Sequence, residues 1–488
     1  MSLEKHFSAF RENIIGQHQW FTGPEGDKRI LYADWTASGR MYAPIEDLLK
    51  NEIAPFVGNT HTETSVCGTT MTKAYHEALH IIKHHVNAGK DDAIITYGSG
   101  MTAVVNKLQR MLGLRVHEKY RIQVLPKEND RPIVFITHME HHSNQTSWLE
   151  TLADVRVIDP NAEGLPDLNS LKKLLEEFKH RPMKIAAVTS CSNVTGVFTP
   201  YHEIATIMHE AGGLCFVDFA CSAPYITIDM HPKEHPQGWL DAIYFSPHKF
   251  LGGPGTSGVL VFNTKLYNNK IPDNPGGGTV DWTNPWGEHK YVDDIEARED
   301  GGTPGFMQAI RTALCIRLKE KMGVENIMKR EEELLSILWP GLSSIEGLHL
   351  LADNHPHRLG VLSFYIEGCH YNLAVKLLND KYGIQVRGGC SCAGTYGHYL
   401  LEVSYDKSKN ITDKINQGIL TEKPGWVRMS IHPTMSDQEA KELVEAVTSL
   451  AAHFRDWEKE YDYSSKTNEF TRKNFNDSRE KVVLQWFS

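Results

Sequence analysis

Between about residue 97 and residue 262, short apolar runs alternate with longer stretches whose apolar residues recur three and four positions apart. The runs Ile133–Ile136, Ile185–Val188, Leu214–Val217, Ala242–Phe245 and Val259–Phe262 have the length and continuity of strands buried on both faces. Leu168–Phe178 and Tyr201–Ala211 carry the helical spacing, and Gly212-Gly213 supplies a C-terminal stop to the second. This alternation predicts an α/β domain with a mainly parallel sheet between helices. Ligands of such sheets gather beyond the carboxyl ends of the strands, so chemistry is to be sought just after each run.

Glycine and proline concentrate at Asn274–Gly278 and Asp300–Gly305, which marks loops near a domain junction. Beyond it the pattern predicts a helix over Thr312–Lys321, a strand over Val361–Ile366, a helix over Asn372–Tyr382 and a strand over Ile384–Arg387. Ser436-Asp-Gln-Glu439 is a capping box opening a last helix that runs apolar at helical spacing to Phe454. The expected organisation is an N-terminal segment over 1–30, a large α/β domain over 31–300 and a smaller α+β domain over 301–463. The small domain carries an insertion at about 395–423, and a charged tail over 464–488 is expected as a solvated extension.

A chain of 488 residues is long enough for two such domains. A formal charge of -10 argues against general affinity for nucleic acid or anionic membranes, which leaves small molecules or proteins as partners. No run approaches the ~20 apolar residues that cross a bilayer, and Met1–Trp20 has no apolar signal core, so a cytoplasmic location is expected. The eight cysteines are too few for a disulfide scaffold. Only Cys390 and Cys392 have metal-like spacing, and with no second ligand pair nearby no metal site is expected.

Lys249 stands in Ser246-Pro-His-Lys249, directly after a buried run and before a glycine-rich turn. A lone lysine is ordinarily a solvated surface residue; in an environment that lowers its pKa, its amine forms imines with carbonyl cofactors. Asp218 ends the run Leu214-Cys-Phe-Val-Asp218, where a carboxylate is either a turn residue or the partner that pyridoxal 5′-phosphate needs against its ring nitrogen. Tyr97-Gly-Ser-Gly-Met-Thr102 is followed by helix-forming residues, so the amides around Gly100, Met101 and Thr102 could receive a phosphate. His141, after another strand, is a loop histidine or a ring that stacks on a planar cofactor; Asn193 is a turn residue or an amide for a ring hydroxyl.

Thr102, His141, Asn193, Asp218 and Lys249 thus fall after separate strands in an order that resembles fold-type I enzymes of pyridoxal phosphate. Along roughly residues 30 to 450 the chain resembles the class V aminotransferases, and within them the cysteine desulfurase and selenocysteine lyase group. The strongest matches are Glu140-His-His-Ser-Asn144, Ser192-Asn-Val-Thr-Gly196, Val217-Asp218 and Ser246-Pro-His-Lys249. The resemblance implies that Lys249 binds the cofactor as an imine and serves as general base, that Asp218 faces the ring nitrogen, that His141 stacks on the ring and that Asn193 contacts its hydroxyl. It gives the phosphate to Thr102, Ser246 and His248. Pro275-Gly-Gly-Gly-Thr279 resembles the loop that reaches the neighbouring subunit's phosphate, so Thr279 implies a homodimer with shared sites. Glu299–Pro304 resembles the stretch that re-enters the site between the domains.

Val386-Arg-Gly-Gly-Cys-Ser-Cys-Ala393 resembles the loop bearing the family's sulfur-accepting cysteine, and Cys392 matches that nucleophile. Arg428, in Trp426-Val-Arg-Met-Ser430, resembles the arginine that grips the amino-acid substrate's carboxylate, with Arg387 a second contact. These residues imply a small amino-acid substrate and a sulfur-acceptor protein. Three departures stand out: Cys221 replaces a glutamine near the ring hydroxyl, two thiols occupy the loop where one is expected, and Thr395–Lys423 is long. Other reactions on the same scaffold remain open at this point: an aminotransferase, an epimerase or a cystine lyase, and a non-catalytic scaffold.

Overall fold

The computed structural model describes residues 2–60 and 62–488. Its larger sheet has seven strands: β1 (Asp92–Tyr97), β2 (Ile133–Thr137), β3 (Asp154–Ile158), β4 (Lys184–Thr189), β5 (Leu214–Asp218), β6 (Ala242–Phe245) and β7 (Gly258–Asn263). Their order is β1-β7-β6-β5-β4-β2-β3. The pairs from β6 to β3 are parallel, whereas β7 runs antiparallel to both β6 and β1. Between β6 and β7 the chain makes only a single helical turn, Pro247–Lys249. With no crossover helix the next strand returns antiparallel. That return carries Lys249.

All five runs predicted as strands form strands. β1 and β3 were not expected. β3 lies at the sheet's edge and reads Asp154-Val-Arg-Val-Ile158, an alternation suited to one wet face rather than an apolar run. The sheet separates two cores, one under Phe135, Val188 and Phe245, the other under Ile136, Phe216 and Tyr244.

The C-terminal part has an antiparallel sheet of β8 (Leu348–Leu350), β9 (Val361–Ile366), β10 (Arg387–Gly389) and β11 (Trp426–Ser430), in the order β8-β9-β11-β10. Helices Val324–Ser343, Tyr371–Tyr382 and Asp437–Trp457 cover it, the last opened by the Ser436/Glu439 capping box. The sequence reading placed one strand over Ile384–Arg387; here Ile384–Gln385 pairs in parallel with Leu31–Tyr32, and β10 starts only at Arg387. The N-terminal chain is thereby tied to the small domain: Leu31 and Ala33 join its core, and Arg29 and Arg11 both bond Glu439.

The insertion folds as two helices, Gly394–Leu400 and Tyr405–Asn416. The tail does not begin as a solvated extension. Tyr461–Ser464 and Glu469–Arg472 form a hairpin whose buried Asn468 donates to the Tyr371 hydroxyl at 2.7 Å. Beyond it, Val482 to Phe487 are exposed. Among the described residues no helix is long and apolar enough to cross a membrane.

Candidate active site

The carboxyl ends of β1, β2, β4, β5 and β6 open on one cleft of about 190 Å³, closed on the far side by the small domain. Its lining includes Met101, Thr102, His141, Asn193, Asp218, Ser246, His248, Lys249, Arg387, Cys392 and Arg428. At one end the helix Met101–Met111 starts without a side-chain cap. The Met101 amide donates to Ser246 Oγ at 2.8 Å, and the hydroxyls of Thr102 and Ser143 lie 2.7 Å apart. A Cβ on Gly100 would stand 3.1 Å from Ser246 Oγ, so the bare backbone keeps this corner open. Amides, hydroxyls and His248 together make a place for an anion.

The floor is built from strand ends. Asp218 closes β5, 3 % exposed, and its Oδ1 accepts the Ala220 amide at 2.8 Å. Burial raises its carboxyl to about 6, while that amide and Lys249 pull it down. Burial likewise lowers the Lys249 amine; Cys221 and Asp218 favour its charged form, and among the described residues no side-chain hydrogen bond holds it. A lysine so placed has its amine free to react. Gly39 packs against this turn: its amide donates to the His248 carbonyl at 2.9 Å, and a Cβ there would fall 1.9 Å from the Phe250 carbonyl oxygen.

His141 Nδ1 accepts the Ser143 amide at 3.0 Å. Burial, and after it the charge of Lys249, hold its pKa at about 3, so the ring is neutral. Behind it Glu140 accepts from the Thr137 hydroxyl, the Thr189 amide and Asn144 Nδ2, while Asn144 Oδ1 receives the Tyr244 hydroxyl at 2.6 Å. This buried network joins β2, β4 and β6 and fixes the strand ends against one another. Sequence reasoning noted Glu140 and Asn144 only as parts of a motif.

Opposite the floor, Arg387 of β10 and Arg428 of β11 are direct cross-strand partners. Like charges so placed repel unless something answers them. Asp34 does: Arg428 Nη2 donates to its Oδ1 at 2.9 Å, and Arg387 Nε lies 3.5 Å from Oδ2. Arg428 Nη1 reaches the Asn193 carbonyl at 3.2 Å, and its buried Nε has no hydrogen-bond partner among the described residues. Arg387 is half exposed at the mouth. Asp34 was missed, for no local pattern distinguishes it from any aspartate near a strand.

Cys392 faces the same cleft and is exposed; Cys390 is partly buried and packs in a small cluster with Tyr396 and Trp426. Ser391 and Cys392 both take left-handed backbone conformations, φ 50° and 57°. Hydrogen bonds keep them there: Asn193 Nδ2 donates to the Ser391 carbonyl at 2.8 Å and the His142 amide to the Cys392 carbonyl at 2.7 Å. Cys191 and Cys221 also line the cleft, their thiols each donating to the Ser192 carbonyl at 3.7 Å.

Thr279 is not in this cleft. Its buried hydroxyl donates to the Gly276 carbonyl at 2.7 Å inside its own loop. Glu299 is not in it either; it binds the fully buried Lys107 at 2.7 Å and so ties its stretch to the helix Met101–Met111. Among the described residues no cluster of potential metal ligands forms.

The family model described as Aminotransferase class-V matches residues 31–443. A probable cysteine desulfurase of Staphylococcus aureus strain COL is 28% identical over 371 residues, 75% of this chain and 84% of that relative. One from Staphylococcus epidermidis strain ATCC 12228 is 28% identical over 372 residues, with the same coverage. Among solved structures, an apo cysteine desulfurase from Thermococcus onnurineus NA1 superposes with a TM-score of 0.72 at 22% identity, covering 91% of this chain and 98% of that one. A cysteine desulfurase of Escherichia coli gives 0.70, again at 22% identity and with the same coverage. These superpositions establish the fold, the fold-type I architecture of a large mixed sheet with a smaller domain.

Proposed function

The chain belongs to the class V aminotransferase family, and from that premise we propose that it is a pyridoxal-phosphate enzyme that moves the sulfur of L-cysteine onto Cys392 and leaves alanine. The observation that carries the reading is that an exposed thiol, Cys392, lines the same cleft as Lys249, Asp218, His141 and Arg428.

The donor set fits the cofactor. An anion cradle with no Cβ at Gly100 lies at one end, a buried carboxylate at a strand end beside a free amine lies at the floor, and Arg428 keeps an unpartnered Nε. Thr102, Ser246, His248 and the amides after Gly100 would hold the phosphate, Asp218 the ring nitrogen, His141 a ring face and Asn193 the ring hydroxyl. When bound, pyridoxal phosphate supplies an electron sink for bonds at the substrate's α-carbon. The chain does the rest. Arg428, with Arg387 at the mouth, orients the substrate carboxylate through a planar fork of donors. Lys249 would hold the cofactor by its carbonyl carbon, and its amine is placed to move the proton at the substrate's α-carbon. The Cys392 thiolate attacks the substrate sulfur: a sulfur–sulfur bond forms, the carbon–sulfur bond breaks, and its electron pair stays with the carbon that leaves as alanine. Cysteine and one thiol thus give alanine and one persulfide, with no outside oxidant.

Thr279 belongs in this reading to the partner subunit's phosphate site, which makes the enzyme a homodimer. A sulfur-acceptor protein takes the persulfide sulfur, and the absence of a membrane-crossing helix among the described residues supports a cytoplasmic setting. Supplied with L-cysteine and dithiothreitol, the purified protein releases alanine and sulfide in equal amounts, and Cys392→Ser abolishes both. Pyruvate and ammonia from cystine, unchanged by that substitution, would overturn the reading in favour of a lyase.

A further inference from the structure

The segment that bears Cys392 is held chiefly by one neighbour. His142 touches it twice: its backbone N–H donates to the Cys392 carbonyl at 2.7 Å, and its side chain Nε2 accepts the Gly394 N–H at 2.9 Å. The two bonds bracket the thiol residue. Asn193 Nδ2 adds a third hold on the Ser391 carbonyl, and Thr395 Oγ1 bonds Gln145 Oε1 at 2.9 Å one turn along the same helix as His142. The held segment contains two successive left-handed residues that are not glycine, Ser391 and Cys392, and the Ser391 hydroxyl is buried without a partner among the described residues. Backbone of this kind persists only where its surroundings hold it. Cys392 itself stays exposed, between the cleft and the outside.

We propose that His142 is a positioning residue for the sulfur-accepting thiol: by accepting the Gly394 N–H while its own amide holds the Cys392 carbonyl, it clasps the loop and sets how long the thiol stays aimed into the cleft. This rests on the desulfurase reading for its purpose, since a thiol that takes sulfur inside must also deliver it outside. The geometry demands a neutral imidazole with the proton on Nδ1, because a protonated Nε2 has nothing to offer an N–H. Its surroundings agree. Burial depresses its pKa, followed by the charge of Lys423 from the loop before β11. Titratable rings near it include His141, 6.4 Å away, and His398 and Tyr399, which share a groove with it beyond Gly394.

The clasp is tested on the full-length holoenzyme without substrate, by amide hydrogen exchange over residues 390–404 and by the rate at which iodoacetamide labels Cys392 at fixed pH. His142→Ala removes the acceptor and is expected to speed exchange of the Gly394 amide by about tenfold and to change the labelling rate several-fold. His142→Gln places a carbonyl oxygen where Nε2 stands and is expected to restore wild-type behaviour. In single turnovers with L-cysteine, His142→Ala is expected to slow persulfide formation while speeding persulfide transfer to dithiothreitol, a split that general loosening of the fold does not produce. Unchanged exchange in His142→Ala, or a glutamine variant as loose as the alanine variant, overturns the proposal. Neither readout without substrate depends on the reaction, so a desulfurase reading sunk by an active Cys392→Ser leaves the clasp separately testable.

Discussion

The two walls of the cleft are made differently. The floor, with Asp218 and Lys249, sits at the ends of central strands, and a buried network from Glu140 and Asn144 joins β2, β4 and β6. The opposite wall, Ser391 and Cys392, is a turn of two left-handed residues held by a handful of hydrogen bonds. Groups on the floor can shift only if the sheet shifts, whereas the thiol can move by breaking local bonds. The half that must hold a cofactor in one pose is thereby rigid, and the half that must carry an atom away is tethered.

That contrast is broken most severely at Lys249. Lys249→Ala should abolish the visible absorbance of the bound cofactor and lower turnover by at least about a thousandfold, since both the covalent anchor and the base are lost. Spectra and steady-state assays check this together. Cys392→Ser should be as severe for alanine release yet leave the absorbance unchanged. A Cys392→Ser protein that also lost the cofactor would show that the two walls are one unit rather than two.

The floor's rigidity has a stability cost that depends on pH. Asp218 is buried, and its folded-state pKa is raised by that burial to about 6 from an ordinary 3.8. The sign follows from linkage: the unfolded chain loses this proton first, so stability is highest below the ordinary value and falls as pH rises from there through about 6. Asp218→Asn should therefore stabilise the cofactor-free protein at pH 7, by up to about 3 kcal/mol, and flatten its stability between pH 4 and 6. The same change should weaken catalysis, because the ring nitrogen loses its carboxylate. Denaturant titration of the cofactor-free protein at two pH values checks the first effect, and loss of stability at pH 7 would contradict it.

How much of this was legible in the sequence follows the same division. The central strands announced themselves because burial on both faces demands unbroken apolar runs, as in Ile133–Ile136, and the residues after them could be picked out by position alone. The edge strand Asp154–Ile158 did not, because one wet face gives it charged and apolar residues in turn. Asp34 was illegible for another reason. Its meaning depends on Arg387 and Arg428 being cross-strand partners, and Arg428 lies 394 positions away. The tail hairpin failed similarly: its composition is charged, yet one buried asparagine bonding Tyr371 holds it in place. Cys392 was singled out through a resemblance, while the hydrogen bonds that seat it, from His142 and Asn193, exist only once β2 and β4 stand side by side with the small domain.

The smallest expected effect lies within the loop itself, where the sequence offers two thiols two positions apart. Cys390 is partly buried against Tyr396 and Trp426 and does not line the cleft, whereas Cys392 is exposed and does. Serine matches a cysteine closely in size, and only a modest loss of apolar packing accompanies Cys390→Ser. Alanine production by that variant should stay within about twofold of the parent, with stability lowered by no more than about 1 kcal/mol. Mass spectrometry after one turnover with L-cysteine should find the added sulfur on Cys392 in both proteins. Sulfur on Cys390, or a Cys390→Ser protein as inactive as Cys392→Ser, would mean that the loop turns over during the reaction. The left-handed pair would then be one of two seats for the thiol rather than the position from which it attacks.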